Sequence, residues 1–484
     1  MNDPGRSPVV AQKALTHRER LLIVAGALLP VFMGSMDQTV VATILPTIGR
    51  ELGGVNHLSW VPTANLLTVT AMTPLYGKIS DIIGRRTTLL WGIAIFMAGS
   101  LISALAPNLP MLIFGRAFQG LGSGGLTTIA MTVLGDIAAP KDRARYYTYF
   151  SIVYITSGAL GPLWGGFAAQ HLGYATIFWV NIPLGLLALV AVSTLLKRLP
   201  RHERPHRLDI PGACLIAAAS STWIFVLNAG GHDFAWSSPE IVLVSLASAI
   251  FWVGFVVRLL TAREPLIPLG VLRNKIVLYS TISNGVGWAS VVALNIYLPL
   301  YQQAVHGLSP SASGASMMML MATVNGGALI GAQIAGRVKH YKYPPMVSML
   351  FCCAACVWLA RHSADVGAIE FQIVLLVIGL GFGPAAPVST VAMQNAVELH
   401  QLGVSGAAMS FLRSLIATGL VAAFGVIVLG GAGATREAIF ADPASAADRF
   451  SIVFYTTAAT FFVAFLALAR MEEKPLLSER AAAG

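Results

Sequence analysis

Gly77-Lys-Ile-Ser-Asp81-Ile-Ile-Gly84-Arg85-Arg86 is a short charged stretch set between two apolar runs, residues 58–77 and 87–106. Each run has the roughly 20 residues that an α-helix needs to cross a hydrocarbon core. The alternation of long apolar run and short polar break continues along the chain. Runs of helical length fall near 21–48, 58–77, 87–106, 110–134, 146–169, 175–196, 209–229, 239–261, 276–304, 313–336, 344–361, 369–393, 403–430 and 451–470, fourteen in all. Gly and Pro occur inside nearly continuous hydrophobic runs, which fits bundled helices better than barrel strands, whose residues alternate. The expected fold class is therefore an all-α polytopic membrane protein with fourteen transmembrane helices.

Composition agrees. Of 484 residues, 56% are apolar and 11% charged, against about 25% charged in a soluble domain. A soluble globular enzyme would lack the charged surface it needs, and a disordered chain would not be this apolar. The net charge of +10 does not point to nucleic acid, because the basic residues sit in short clusters between the runs. With both termini placed in the cytoplasm, 25 of the 31 Lys and Arg fall on cytoplasmic segments and four on outer loops. That bias sets the orientation. The first apolar run is too long for a signal-peptide core, so no cleavable leader is expected. Cys214, Cys352, Cys353 and Cys356 lie in apolar stretches and read as packing residues.

Basic, Pro-containing breaks at 197–207 and 263–275 divide the runs six, two and six. The expected organisation is a cytoplasmic tail at 1–20, a six-helix bundle at 21–196, a linker with two inserted helices at 197–262, a second six-helix bundle at 263–471, and a tail at 472–484. Paired halves are a transporter habit, since alternating access rocks two bundles about a central site.

A charge at mid-membrane costs about 2.5–3.5 kcal/mol on insertion scales, so each one needs a reason. Asp37 lies deep in the first run, in Met36-Asp-Gln-Thr-Val-Val-Ala-Thr-Ile-Leu-Pro46. Burial favours the neutral form of a carboxylic acid, so such a group either loads and unloads a proton or is a permanently paired structural carboxylate. Arg116 opens Arg116-Ala-Phe-Gln-Gly120-Leu-Gly-Ser-Gly-Gly125 in the fourth run. It cannot shed its proton, so it either tunes a nearby acid or tethers helices. Arg413, in the thirteenth run, sits closer to the cytoplasmic end, where it either snorkels or serves a function of its own. Gly158-Ala-Leu-Gly161-Pro162-Leu-Trp-Gly165-Gly166 combines small residues at four-residue spacing, which permit close helix approach, with a Pro that bends a helix. All ten histidines fall in loops or at run edges, which removes the clusters a membrane di-iron enzyme would need.

Taken together, these motifs resemble the fourteen-span drug:proton antiporter branch of the major facilitator superfamily. Residues 77–86 are similar to its loop between spans two and three, 36–46 to its span-one motif, 116–125 to its span-four motif, and 158–166 to its antiporter motif. Leu208-Asp-Ile-Pro-Gly212 is like the start of the extra helix pair. The second half departs: His340 stands where Asp81 would repeat, and Tyr343 where Gly84 would.

The resemblance implies two six-helix bundles plus two inserted helices, and a proton-coupled exporter of drug-like or toxic amphiphiles. Asp37 and Arg116 would carry proton coupling. Gly77, Asp81, Gly84, Arg85 and Arg86 would form a conformational latch, and Gly158, Gly161, Pro162, Gly165 and Gly166 would limit leak. Gln119, Trp288, Asn295, Tyr297 and Gln394 are the candidate cavity residues. With Asp37 the one deep acid, a monovalent lipophilic cation or neutral amphiphile is the expected cargo. Neither cofactor nor metal is implied. The expected partners are a small-molecule substrate, protons and the bilayer of a bacterial inner membrane, without nucleic acid. The alternatives are an exporter of one defined metabolite, lipid or siderophore, and more remotely a membrane enzyme or sensor.

Overall fold

The computed structural model describes residues 16–53, 57–58, 60–138, 140–199, 209–230, 234–262, 265–308, 310–335, 338, 340–398, 401–429 and 442–475. The tail before residue 16, most of the basic linker, the loop at 430–441 and the tail beyond 475 lie outside them. The described helices are α1 (His17–Leu52), α2 (Trp60–Ile83), α3 (Arg85–Ala104), α4 (Leu109–Ser123), α5 (Leu126–Ile137), α6 (Pro140–His171), α7 (Ala175–Leu195), α8 (Ile210–Ala229) and α9 (Pro239–Thr261). They continue as α10 (Leu269–Arg273), α11 (Lys275–His306), α12 (Pro310–Ala335), α13 (Tyr343–Arg361), α14 (Ala368–Phe382), α15 (Ala385–Ala396), α16 (Leu402–Leu429) and α17 (Pro443–Arg470). Two long columns are interrupted: α4 and α5 meet at Gly124–Gly125, and α14 and α15 at Gly383–Pro384.

Local chemistry sets the boundaries. Thr16 and Glu19 form a reciprocal capping box at the start of α1, which closes at Gly53 with φ +69°. Gly84, at φ +89°, makes the turn between α2 and α3 that a residue with a Cβ would resist. Asn274 caps α11 through the N–H groups of Ile276 and Val277, and Gly307 ends that helix in the left-handed region.

Among the described residues, eleven helices are long and apolar enough to cross a membrane. The columns outside that set are α2, α4–α5 and α6. They carry Lys78 and Asp81, Arg116, and the Pro-Lys-Asp-Arg start of α6. The outer surface is apolar. On α9, Leu243, Leu246, Ile250, Val253, Val257 and Leu260 recur every three or four residues and are all exposed, the stripe expected of a lipid-facing helix.

One buried core joins Leu294, Tyr301, Met349, Phe382, Phe424, Phe450 and Phe461 of the later helices. Others join Val31, Ile93, Phe96 and Leu126, and Ile44, Leu112 and Phe178, of the earlier ones. The α8–α9 pair packs through Ala213, Ile216 and Phe255 against Leu75 of α2 and Phe411 of α16. Asp209 caps α8 and also accepts from Arg258 Nε at 2.9 Å, tying α8 to α9.

Candidate functional site

Asp37 is 5% exposed and Arg116 1%, and Arg116 Nη1 lies 2.6 Å from Asp37 Oδ2. The other carboxylate oxygen accepts from Gln119 Nε2 at 3.0 Å and Asn181 Nδ2 at 2.9 Å. Gln119 Oε1 accepts in turn from Arg116 Nη1. Ser100 Oγ accepts from both amides, at 2.7 Å from Gln119 and 3.2 Å from Asn181. Arg116 Nε reaches the Val61 carbonyl at 3.4 Å, and its guanidinium carbon lies 5.9 Å from the centre of the Phe178 ring. Asn65 of α2 donates to the Arg116 carbonyl at 3.2 Å. Five helices therefore converge on one buried ion pair.

Close backbone approach makes this possible. A Cβ on Gly99 would sit 2.4 Å from the Gln119 backbone, and one on Gly120 would sit 1.9 Å from Thr68 Oγ1. These glycines let α3 and α2 lie against α4, so that side chains as short as Ser100 and Asn65 reach the network. Arg116 stands seven residues into α4, about 10 Å from that helix end. Removing one partner of a buried pair costs about 3–5 kcal/mol, so Asp37 and Arg116 hold each other in place.

A second charged cluster lies at the end of the molecule where α1 begins, termed the basic face because its loops carry most of the Lys and Arg. Arg85 Nη1 pairs with Asp81 and donates to Ser80 Oγ, and Arg85 Nε lies 3.1 Å from Asp136 Oδ2. Asp81 Oδ2 accepts from the N–H of Val404, in the first turn of α16, at 3.1 Å. A carboxylate suits that position, because the helix start offers unpaired N–H groups and positive dipole. The contact needs Gly77 and Gly403: a Cβ on the first would lie 2.4 Å from Ala407 Cβ, and one on the second 2.4 Å from Asp81 Oδ1. Arg86 Nη2 is bonded to the Ser193 carbonyl at 2.8 Å, inside its own bundle. Burial raises the Asp81 carboxyl above its ordinary range, and the Arg85 charge opposes that.

The glycines of α6 divide into two pairs. A Cβ on Gly161 or Gly165 would fall 2.0 Å from Thr39 Oγ1 or 2.1 Å from Thr43 Oγ1, whereas Gly158 and Gly166 face open space. Thr39 Oγ1 also donates to the Ser157 carbonyl at 3.1 Å. The helix runs unbroken through Pro162.

The candidate cavity residues do not form one group. Gln119 is fully buried inside the Asp37 cluster. Gln394 is in the basic-face contact, donating to the Met131 carbonyl at 3.1 Å. Tyr297 Oη donates to the Val421 carbonyl at 3.0 Å, joining α11 to α16. Asn295 is half-buried on α11. Trp288, also half-buried, packs on Phe382 and carries Arg413 over its ring, with 5.3 Å from guanidinium carbon to ring centre. Arg413 thus turns inward onto α11 rather than snorkelling to the helix end. In the second half, His340 pairs with Glu473 at 2.9 Å, and Lys342 Nζ donates to the Met471 carbonyl.

Sequence reasoning passed over Asn181, Ser100 and Asn65 at the first cluster, and Asp136 and the Val404 N–H at the second. Asn181 carried a signal, being an amide in the middle of an apolar run. Ser100 carried none, because a small hydroxyl residue in a span is ordinary packing.

Helical bundles with a lipid-facing surface and a buried acid–arginine cluster define a polytopic membrane protein. Residues 27–422 match the family model of the Major Facilitator Superfamily. The chain belongs to that superfamily and is a transporter, not an enzyme. It is 30% identical over 415 residues to the Multidrug transporter protein MdtP of Bacillus subtilis (strain 168), covering 85% of this chain and 75% of the relative. It is 28% identical over 408 residues to Multidrug resistance protein 3 of the same strain, covering 84% and 79%. The proton:xylose symporter XylE, bound to 6-bromo-6-deoxy-D-glucose, superposes with a TM-score of 0.65 at 14% identity, covering 96% and 98%. That likeness is one of fold.

Proposed function

We propose that this transporter exports drug-like or toxic amphiphiles in exchange for protons, in a bacterial inner membrane with both termini cytoplasmic. The observation that carries the reading is the Asp37 cluster. Both carboxylate oxygens accept hydrogen bonds, one from Arg116 and the other from Gln119 and Asn181. A protonated carboxyl has no charge to hold Arg116, and one of its oxygens becomes a donor facing donors. The cluster cannot keep its geometry through that change. Gln119 Oε1 and the Val61 carbonyl remain for Arg116, so its charge stays bonded while its tie to α1 is lost.

In the proposed cycle, Asp37 takes a proton from the outer side, α1 is released from α4, and the basic face opens. Cytoplasmic substrate enters as the proton leaves, and the loaded carrier turns outward. The Asp81–Arg85–Asp136 cluster against the start of α16 times the opening, and the Gly161–Gly165 contact with α1 keeps the bundle closed to leak. The names of the curated relatives support the substrate class.

The test is purified protein in liposomes with a trapped pH-sensitive dye, challenged with a panel of amphiphiles beside Asp37→Asn. Several compounds moving protons in the wild type, and none in the variant, is the expected result. A single active compound would mark a carrier of one defined metabolite. No proton movement with any compound in folded protein would overturn the reading.

A further inference from the structure

Arg413 is the deep charge that the proton cluster leaves unused. It stands eleven residues into α16, about 17 Å from the basic-face end. Among the described residues it has no hydrogen bond or ion pair, and its Nε is buried without a partner. Its neighbours are the Trp288 ring of α11, which it overlies, and the Tyr154 hydroxyl of α6, which lies within electrostatic reach. Gly285 of α11 faces α16 at this level: a Cβ there would lie 2.7 Å from Ile416 Cδ1 and, in ordinary contact, 3.6 Å from Arg413 Cα.

The position is as informative as the pairing. The contacts between the two halves at Asp81–Val404, Gly77–Ala407 and Gly406–Thr128 all use the first six residues of α16. Arg413 is six residues, about 9 Å, beyond Ala407. It therefore sits just inside the basic-face contact, over Trp288 of the second half and within electrostatic reach of Tyr154 of the first. Arg413, Trp288 and Tyr154 are each half-buried, so part of every one of them remains open. Asn284, one turn from Trp288 on the same helix face, is 1% exposed and its Oδ1 has no partner.

The charge balance has a sign. Asp37 and Arg116 neutralise one another within hydrogen-bond distance. Asp37 is thus not the free charge that an incoming cation would meet. The uncompensated group is Arg413, and an arginine cannot discard its proton to relieve burial. Buried cations are paired, and an aromatic face satisfies only part of the demand because the N–H donors lie in the guanidinium plane. An oxyanion supplies the acceptors, and a carboxylate matches the guanidinium fork in two parallel hydrogen bonds.

We infer that Arg413, over Trp288, anchors the anionic headgroup of the transported amphiphile, with Trp288 packing on its apolar body. The substrate class is therefore organic anions of the carboxylate type, in place of the lipophilic cation that the lone deep acid suggested. The inference rests on the export reading for the site's use, but the affinity preference requires no proton coupling.

The test is equilibrium binding to full-length protein in lipid nanodiscs, read by quenching of tryptophan fluorescence. The probes share one scaffold and differ in charge: pyrenebutyric acid, pyrenebutanol and pyrenebutylamine. Wild type is expected to bind the acid at least tenfold tighter than either of the others. Arg413→Gln removes that preference and leaves the alcohol unchanged, while Arg413→Lys retains part of it. Binding is read at equilibrium with no proton gradient, which separates this result from failure of proton coupling. Equal or tighter binding of the amine by wild type overturns the inference, and that arm depends on no variant being stable. Arg413→Gln weakening all three probes alike also overturns it, since that is the mark of a structural residue.

Discussion

Replacing Asp37 by Asn keeps the shape of the side chain and removes its charge, and the network makes the outcome calculable. The carboxylate has acceptors on both sides, toward Arg116 at 2.6 Å and toward Gln119 and Asn181 at 3.0 and 2.9 Å. An amide has one acceptor, so either orientation sets a donor against a donor. Arg116, 1% exposed, then keeps only Gln119 Oε1 and the Val61 carbonyl. Leaving one member of a buried pair costs about 3–5 kcal/mol, and those two remaining acceptors place this case near the lower bound. A loss of about 3 kcal/mol raises the unfolded fraction about 150-fold. The double variant Asp37→Asn/Arg116→Gln leaves no charge stranded, so it should unfold later than Asp37→Asn alone, with a coupling energy of about 2 kcal/mol. The assay is equilibrium unfolding by SDS in mixed micelles, followed by tryptophan fluorescence, over the four members of the cycle. Additive effects of the two single variants would show that the pair is not formed in the resting protein and would refute the reasoning.

At the α1–α6 contact, Gly161→Val and Gly165→Val should lower the SDS midpoint strongly because Thr39 and Thr43 occupy the space, while Gly158→Ala and Gly166→Ala should leave it within error. At the basic face, Asp81→Asn loses the Arg85 pair and weakens the bond to the Val404 N–H. In a cysteine-free background, a cysteine at Gln394, which is 4% exposed in the wild type, should then react several-fold faster with N-ethylmaleimide, and an unchanged rate would remove Asp81 from the latch. Asp209→Ala removes both the α8 cap and the Arg258 pair. Because Arg258 is 40% exposed, the pair adds little, and the expected loss is about 1–2 kcal/mol in the same unfolding assay.

The all-helical membrane fold was legible because apolar runs of about twenty residues have one stable solution in lipid. Charge position marked the clusters nearly as well. Asp37, Arg116, Asp81 and Arg85 stand out in an apolar chain, and the structure brings them together in pairs. What the sequence could not show was which short polar residues complete each cluster. Ser100 reaches Gln119 only because Gly99 lets α3 lie on α4, and Val404 contributes a backbone N–H, which every residue but proline possesses. The cavity residues were the least legible. Gln119, Tyr297 and Gln394 are polar groups in apolar runs, as a substrate contact would be, yet each bonds protein instead. One sequence pattern serves both uses, and only the partner distinguishes them.

The two charged clusters share a helix, which the proposed cycle uses to couple them. On α2, Asn65 holds the Arg116 carbonyl, and Gly120 brings α4 so close that a single methyl group would collide with Thr68. The two helices are therefore tied at that level and move together. Asp81 is sixteen residues further along α2, about 24 Å away, where it accepts the Val404 N–H at 3.1 Å. A tilt of about 5° in α2 carries that end by about 2 Å, and a hydrogen bond stretched by that much is lost. Freeing α4 from α1 at Asp37 is thus a small event at one end of α2 and a broken contact at the other. The glycines at 77 and 403 sharpen the effect, because a fit this close has no compliant side chain to follow the movement. In the cycle proposed above, a proton at Asp37 need not reach the basic face to open it. It has only to let α2 lean.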